Sequence, residues 1–189
     1  GPIHKTYGDA AFANIASGGA GGGGITYTGS DGTVAQVDPT AGLVTINGAG
    51  SATITATKSA DASHGAQQTT YSLMVAKAAQ SITLSTSGTL SVFVSMPVNS
   101  PVASSIGAGA LSYTSDNPTI ISVDAASGLI LALAQGSAQI AIVKAATPNY
   151  LAAQVSLAVD AIPKAVAIEA WVGLSDSLVS TAPPTPGVG

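Results

Sequence analysis

ITYTGSDGTVAQVDPTAGLVTINGAGSATITAT, Ile25 to Thr57, returns as LSYTSDNPTIISVDAASGLILALAQGSAQIAIV, Leu111 to Val143, at a constant offset of 86 residues (111 − 25) and without a gap. Tyr27/Tyr113, Asp38/Asp124, Gly42/Gly128, Gly50/Gly136, Ala52/Ala138 and Ile54/Ile140 coincide. A period of this kind marks one structural unit used twice. Within the unit, Ala52, Ile54 and Ala56 alternate with Thr53, Thr55 and Thr57, which is the period of a half-buried strand. Ser30-Asp31-Gly32, Asp38-Pro39 and Asn47-Gly48 punctuate it with turn chemistry. No window carries a helical period, and many short strands between regular turns describe a sandwich.

Outward from the repeat, Thr70 to Val75 predicts the closing strand of the first copy. The second copy opens at Lys77-Ala78 with two strands, Ser81 to Leu84 and Leu90 to Val94, and closes with Val155 to Val159. The glycine stretch Ser17 to Gly24 (SGGAGGGG) runs into a strand rather than a helix and has no lysine beside it. It therefore reads as a loop and not as a phosphate cradle.

Composition narrows the functions further. Only 7% of the 189 residues are charged, against 46% hydrophobic. Soluble domains carry about 25% charged residues, so the surface is either polar without charge or covered by other subunits. There is no arginine, only five lysines, and the net charge is −4. Nucleic acid is thereby excluded as a partner, because phosphate neutralisation needs clustered cations. No apolar run approaches the roughly 18 residues of a membrane-spanning helix. Cysteine is absent, which removes disulfide and thiol chemistry. No signal peptide is visible, and Gly1-Pro2 fits a mature terminus or a processing scar.

The order Tyr-Thr-Ser, Asp, Thr-Ile, then Val-Asp and Gly-Leu-Ile, then Gly-x-Ala-x-Ile, then a closing strand before Lys-Ala, resembles the bacterial immunoglobulin-like repeats of surface adhesins, the invasin/intimin-type and giant repeat proteins. TYGDAAF and VAKAAQSIT resemble the start and junction of such repeats. The resemblance covers nearly all of residues 5 to 160. It implies an all-β chain of two tandem immunoglobulin-like antiparallel β-sandwiches on the outside of a cell. The strand bearing Tyr27 and Tyr113 often carries Trp in the family; Tyr fills the same core position with its hydroxyl at the rim. Such repeats serve as spacers, adhesive tips and filament subunits alike, so the fold alone does not choose among them.

Catalytic chemistry finds little footing. The two histidines are His4 and His64; Asp61 and Ser63 neighbour the latter, but on a loop with nothing predicted to fix a nucleophile and base. Glu169 is the sole glutamate, so no pair of glutamates can act. Asp31, Asp38, Asp116 and Asp124 recur at equivalent or neighbouring places in both copies. They could form calcium sites, which take 6–8 oxygens, but turn-capping accounts for Asp beside Gly or Pro at strand ends. The expectation is a non-enzymatic chain without cofactor or metal.

Two features point to association instead. Thr45, Asn47, Thr53, Thr55 and Thr57 of the first copy become Leu131, Leu133, Gln139, Ala141 and Val143 in the second. Leu131, Leu133, Ala141 and Val143 thus form an apolar outer face that another subunit or the tail should cover. The ends of the chain also do not balance. The first copy has too few residues before Ile25 to supply a counterpart of AAQSITL, whereas the chain ends with a surplus strand. Val166, Ile168, Ala170, Val172 and Leu174 alternate with Ala167, Glu169, Trp171 and Gly173. The predicted organisation is therefore residues 1–76, a first domain lacking its first strand; 77–163, a second domain; and 164–189, a donor strand and Pro-rich tail. Val166, Ile168, Ala170, Trp171, Val172 and Leu174 would complete the first domain of another copy, as in strand addition to an open sheet edge. The expected partner is a copy of itself in a head-to-tail filament at the cell surface. A two-repeat stalk of a long adhesin, binding a host surface or a carbohydrate, is the alternative reading.

Overall fold

The computed structural model describes residues 1–164, and every regular element in them is a β-strand. The N-terminal half contributes β1 (Ile3–Thr6), β2 (Phe12–Ala13), β3 (Ile25–Gly29), β4 (Ala35–Val37), β5 (Leu43–Ile46), β6 (Gly50–Lys58) and β7 (Gln67–Ala76). These make a four-stranded sheet in the order β1-β7-β6-β3 and a three-stranded sheet in the order β2-β5-β4. β6 and β7 pair antiparallel over their length, from Gly50 opposite Val75 to Lys58 opposite Gln67. Alternation along β6 buries Ala52, Ile54 and Ala56 and turns the threonines away. Val34, Ala35, Val44, Ala52, Leu73 and Val75 form the core between the two sheets.

The C-terminal half repeats this plan with β8 (Ser81–Leu84), β9 (Leu90–Phe93), β10 (Pro97–Val98), β11 (Val102–Ile106), β12 (Leu111–Ser115), β13 (Ile121–Val123), β14 (Ile130–Ala132), β15 (Gly136–Lys144) and β16 (Ala153–Ile162). Its sheets run β12-β15-β16-β9 and β10-β14-β13, and β8 and β11 form a separate antiparallel pair. Ile121, Ile130, Ile140, Ile142, Leu157 and Val159 are buried in one cluster with Val92 and Tyr113. Ile82 and Leu84 of β8 and Val102 of β11 pack against that cluster from outside.

Within residues 1–164 the predicted strands are present, with two differences. Thr33 to Val37 was predicted as one strand, yet pairing begins only at Ala35. Asp31 accepts hydrogen bonds from both the amide and the hydroxyl of Thr33, at 2.8 and 2.6 Å, and holds Thr33 in the preceding turn. The pairing is also not wholly antiparallel. β1 lies parallel to β7, with Ile3 opposite Leu73 and Thr6 opposite Ala76. β9 lies parallel to β16, with Leu90 opposite Val159 and Phe93 opposite Ile162. In the N-terminal half the entering strand β1 runs beside the leaving strand β7 in the same direction, and in the C-terminal half β9, the strand after β8, does so beside β16.

Candidate functional site

Strand-for-strand comparison of the halves shows where they differ. β1 corresponds to β9 and β2 to β10, but no strand among the described residues of the N-terminal half corresponds to β8 or β11. The chain equivalent to β11 is the glycine loop, Ser17 to Gly24, which makes bends and no ladder. Glycine side chains offer nothing to bury, so the sequence leaves this edge uncovered. A cleft of about 190 Å³ remains, lined by Asn14, Ile15, Ala16, Tyr27, Ile54, Ala56 and Thr69 to Tyr71. Beside it a second hollow, of about 140 Å³, runs past Gly18, Gly19, Ile25, Lys58 and Gln67.

The lining mixes the apolar Ile15, Ile54 and Ala56 with the polar Asn14, Thr69 and Thr70 and the two tyrosines. Tyr27 is buried and accepts a hydrogen bond at its hydroxyl from the Ala16 amide, 3.0 Å away. The Tyr71 hydroxyl is buried without a well-formed hydrogen bond, and burial pushes its pKa up, with the Asn14 side chain pulling the other way. Ile15, at the mouth, is 67% exposed. In the C-terminal half the corresponding space is filled by β8. Gln80, 8% exposed, fastens β8 at its start. Its amide nitrogen donates to the Ala145 carbonyl at 2.7 Å, and its amide oxygen accepts from the Gly109 amide at 3.3 Å.

A second cluster lies where the halves meet. Lys77 donates from Nζ to the Thr147 carbonyl at 2.8 Å. The Ala78 amide donates to Asn149 O and the Leu151 amide to Ala78 O, both at 2.9 Å. The Ala49 amide donates to Asn149 Oδ1 at 2.9 Å, and the Tyr7 and Tyr150 rings meet edge to face with centroids 5.4 Å apart. The turn around Thr147 to Leu151 thus grips both the linker and the end of the N-terminal half.

The predicted interface residues do not form one patch. Leu131 stands between buried Ile130 and Ala132 on β14, and Leu133 follows, 52% exposed. Ala141 and Val143 flank buried Ile142 on β15. Since Ile130, Ala132, Ile140 and Ile142 share one core, the two sheets face each other and their outward residues point to opposite sides. Leu131, Ala141 and Val143 are half-buried and only Leu133 is exposed, and the sequence correspondence could not tell which sheet each belonged to. The tail residues Val166, Ile168, Ala170, Trp171, Val172 and Leu174 lie outside the described residues, as does Glu169.

The repeated acids serve the turns. Asp38 Oδ1 accepts from the Thr40 and Ala41 amides, and Asp124 Oδ1 from the Ala126 and Ser127 amides. These bonds hold both carboxyls below their usual pKa, the Ala41 and Ser127 amides contributing most. Asp116 accepts from the Gln139 amide. Among the described residues no three acidic or histidine side chains gather as a metal site would require. The loop bearing His64 is more ordered by side chains than its sequence suggested. Asp61 accepts from the Ser63 and His64 amides and, across 39 residues, from the Gly22 amide at 2.7 Å. His64 Nδ1 stands 3.1 Å from Asp61 Oδ1. The Ser63 amide, then the Gly22 amide, bring the Asp61 pKa down to about 2. Asp61 is a latch on the glycine loop, and among the described residues no nucleophile bonds His64.

Residues 7–61 match the family model of the intimin immunoglobulin-like domain, so the resemblance to bacterial immunoglobulin-like repeats holds over that stretch. No curated protein sequence matches the chain. Among solved structures, Drosophila N-cadherin EC1-4 is similar at 13% identity and a TM-score of 0.36, covering 85% of this chain and 47% of that one. S-layer protein SbsC is similar over its domains 1-6, at 18% identity and a TM-score of 0.37, covering 75% and 20%. Its domains 4 and 5 are similar at 17% and 0.38, covering 82% and 80%. The chain thus spans less than half the length of the first two.

Proposed function

We propose that this chain is a non-enzymatic structural subunit of a cell surface or extracellular assembly. In this reading, residues 1–76 and 77–163 are two immunoglobulin-like units in tandem. Residues 164–174 add as a strand to the first unit of the next copy, and the repetition builds a head-to-tail filament. The family match over residues 7–61 supports a surface adhesion-type domain. The observation that carries the finer reading is the unequal strand count: the C-terminal half fills with β8 a position that the N-terminal half leaves as a cleft.

The repeat period identifies a fitting occupant. Adding 86 to Gln80, Ile82 and Leu84, which alternate along one side of β8 and its lead-in, gives Val166, Ile168 and Ala170. Each large apolar side chain so buried contributes roughly 1.5–3 kcal/mol, and each new backbone hydrogen bond about 0.5–1.5 kcal/mol. A donor strand would also satisfy the open edge. A contact of this heterologous kind propagates unless its rotation closes a ring.

The same period favours a second reading, in which the tail opens a further repeat of a longer stalk in the same polypeptide. Sedimentation decides between them. The intact protein should form particles much larger than its monomer, and deleting residues 164–189 should leave it monomeric. A truncated protein that still assembles, or an intact one that never does, overturns the filament.

A further inference from the structure

Both sides of the contact between the halves of one chain recur one repeat away. In the C-terminal half, the Thr147 amide donates to the Tyr150 carbonyl and the Tyr150 amide to Thr147 Oγ1. The N-terminal half makes the same turn one repeat earlier, where the Asp61 amide donates to the His64 carbonyl and the His64 amide to Asp61 Oδ1. Asp61, Ser63 and His64 are therefore the counterparts of Thr147, Asn149 and Tyr150.

The opposite side of the contact repeats as well. The Asn47 and Gly48 amides both donate to the Val34 carbonyl, as those of Leu133 and Ala134 do to Ile120. The Tyr7 amide donates to the Ala76 carbonyl as Val94 does to Ile162. Tyr7 and Gly48-Ala49 thus correspond to Val94 and Ala134-Gln135. Within one chain Asn149 and Tyr150 engage Ala49 and Tyr7. At the two far ends Ser63, His64, Leu133, Ala134 and Gln135 are all exposed, and Val94 is half-buried at the edge of its own core.

We infer that a second copy docks end to end, placing Ser63 and His64 of one copy against Gln135 and Val94 of its neighbour. This rests on the head-to-tail reading above and adds its docking geometry. Leu133, half exposed at the rim of the same end, gains cover that its counterpart Asn47 does not need, since Asn47 already bonds the Gly32 carbonyl.

The chain has no cysteine, so introduced thiols report this geometry directly. Ser63→Cys in one preparation and Gln135→Cys in another are mixed and treated with a short bis-maleimide, with Ala49→Cys/Asn149→Cys in one chain as the internal reference. The mixture should give a covalent pair at least tenfold more abundant than either variant alone. The double variant Ser63→Cys/Gln135→Cys should give a ladder. Particles of normal size without the 63–135 link overturn this docking geometry and leave the head-to-tail filament standing. Full chains that sediment only as monomers overturn both.

Discussion

Gly128 lies against the ring of Tyr113: a Cβ built on this glycine would stand 2.6 Å from the ring Cζ. Its φ is +73°, and Gly42, φ +65°, makes the same approach to Tyr27 at 3.0 Å. The repeated Gly-Leu pair is therefore where the chain turns under the buried tyrosine, in a conformation that L side chains rarely adopt. Gly128→Ala should cost about 1–3 kcal/mol from backbone strain alone, with the ring contact adding to it. Gly42→Ala should cost less. Urea unfolding followed by tyrosine fluorescence measures both, and a Gly128→Ala midpoint equal to the parent's would contradict the close approach.

Gln80 should matter more than its place at the start of an edge strand suggests. Gln80→Leu strips partners from the Gly109 amide and the Ala145 carbonyl while keeping the position filled. Leaving buried groups unsatisfied costs about 1–3 kcal/mol. Hydrogen exchange of Ile82 to Leu84 should accelerate well before the rest of the second half responds. Uniform acceleration throughout that half would show that Gln80 does not hold β8 in particular.

The Asp61 latch predicts a pH dependence with a definite sign. Its carboxyl titrates near 2 when folded and near 3.9 when free, so the folded state binds fewer protons in that interval. The stabilisation is complete above about pH 4 and is lost as pH falls through about 2. Resistance of Gly18 to Gly24 to an acid-active protease should therefore hold at pH 4 and fail near pH 2. Asp61→Asn should weaken it already at pH 4. Parent and variant cleaved alike across this range would remove the latch.

Leu133 and the pair Ala141 and Val143 face different sides of the sandwich and should separate in effect. We expect Leu133→Asn, the residue present one repeat earlier, to reduce association severalfold in sedimentation without moving the urea midpoint. Ala141→Thr with Val143→Thr should leave association unchanged. The opposite pattern would place the interface on the β12-β15-β16-β9 sheet.

The repeat and its β-period were legible because burial alternates along β6 and β15 with the sequence, Ile54 and Ile140 inward and Thr53 and Gln139 outward. Parallel pairing of β1 and β9 was not, since a four-residue strand has the same alternation whichever way its neighbour runs. Nor was the contact of Tyr7 with Tyr150, 143 residues apart (150 − 7), because neither tyrosine lies in the repeated stretch. The Asp61 latch was missed for a similar reason: its partner Gly22 is an amide in a glycine run, and amides leave no signature in a sequence.

The parallel pairs have a mechanical consequence. In the N-terminal half the chain enters along β1 and leaves along its parallel neighbour β7; in the C-terminal half β9, which follows β8, lies parallel to the leaving strand β16. Tension applied along the polypeptide pulls these neighbours lengthwise past each other. All four registered residue pairs of each ladder are then strained together rather than opened one after another from an end. Rupture under force is governed by the unfolding barrier rather than by equilibrium stability. A chain of such units resists stretching at its sheet edges, where the short strands look weakest.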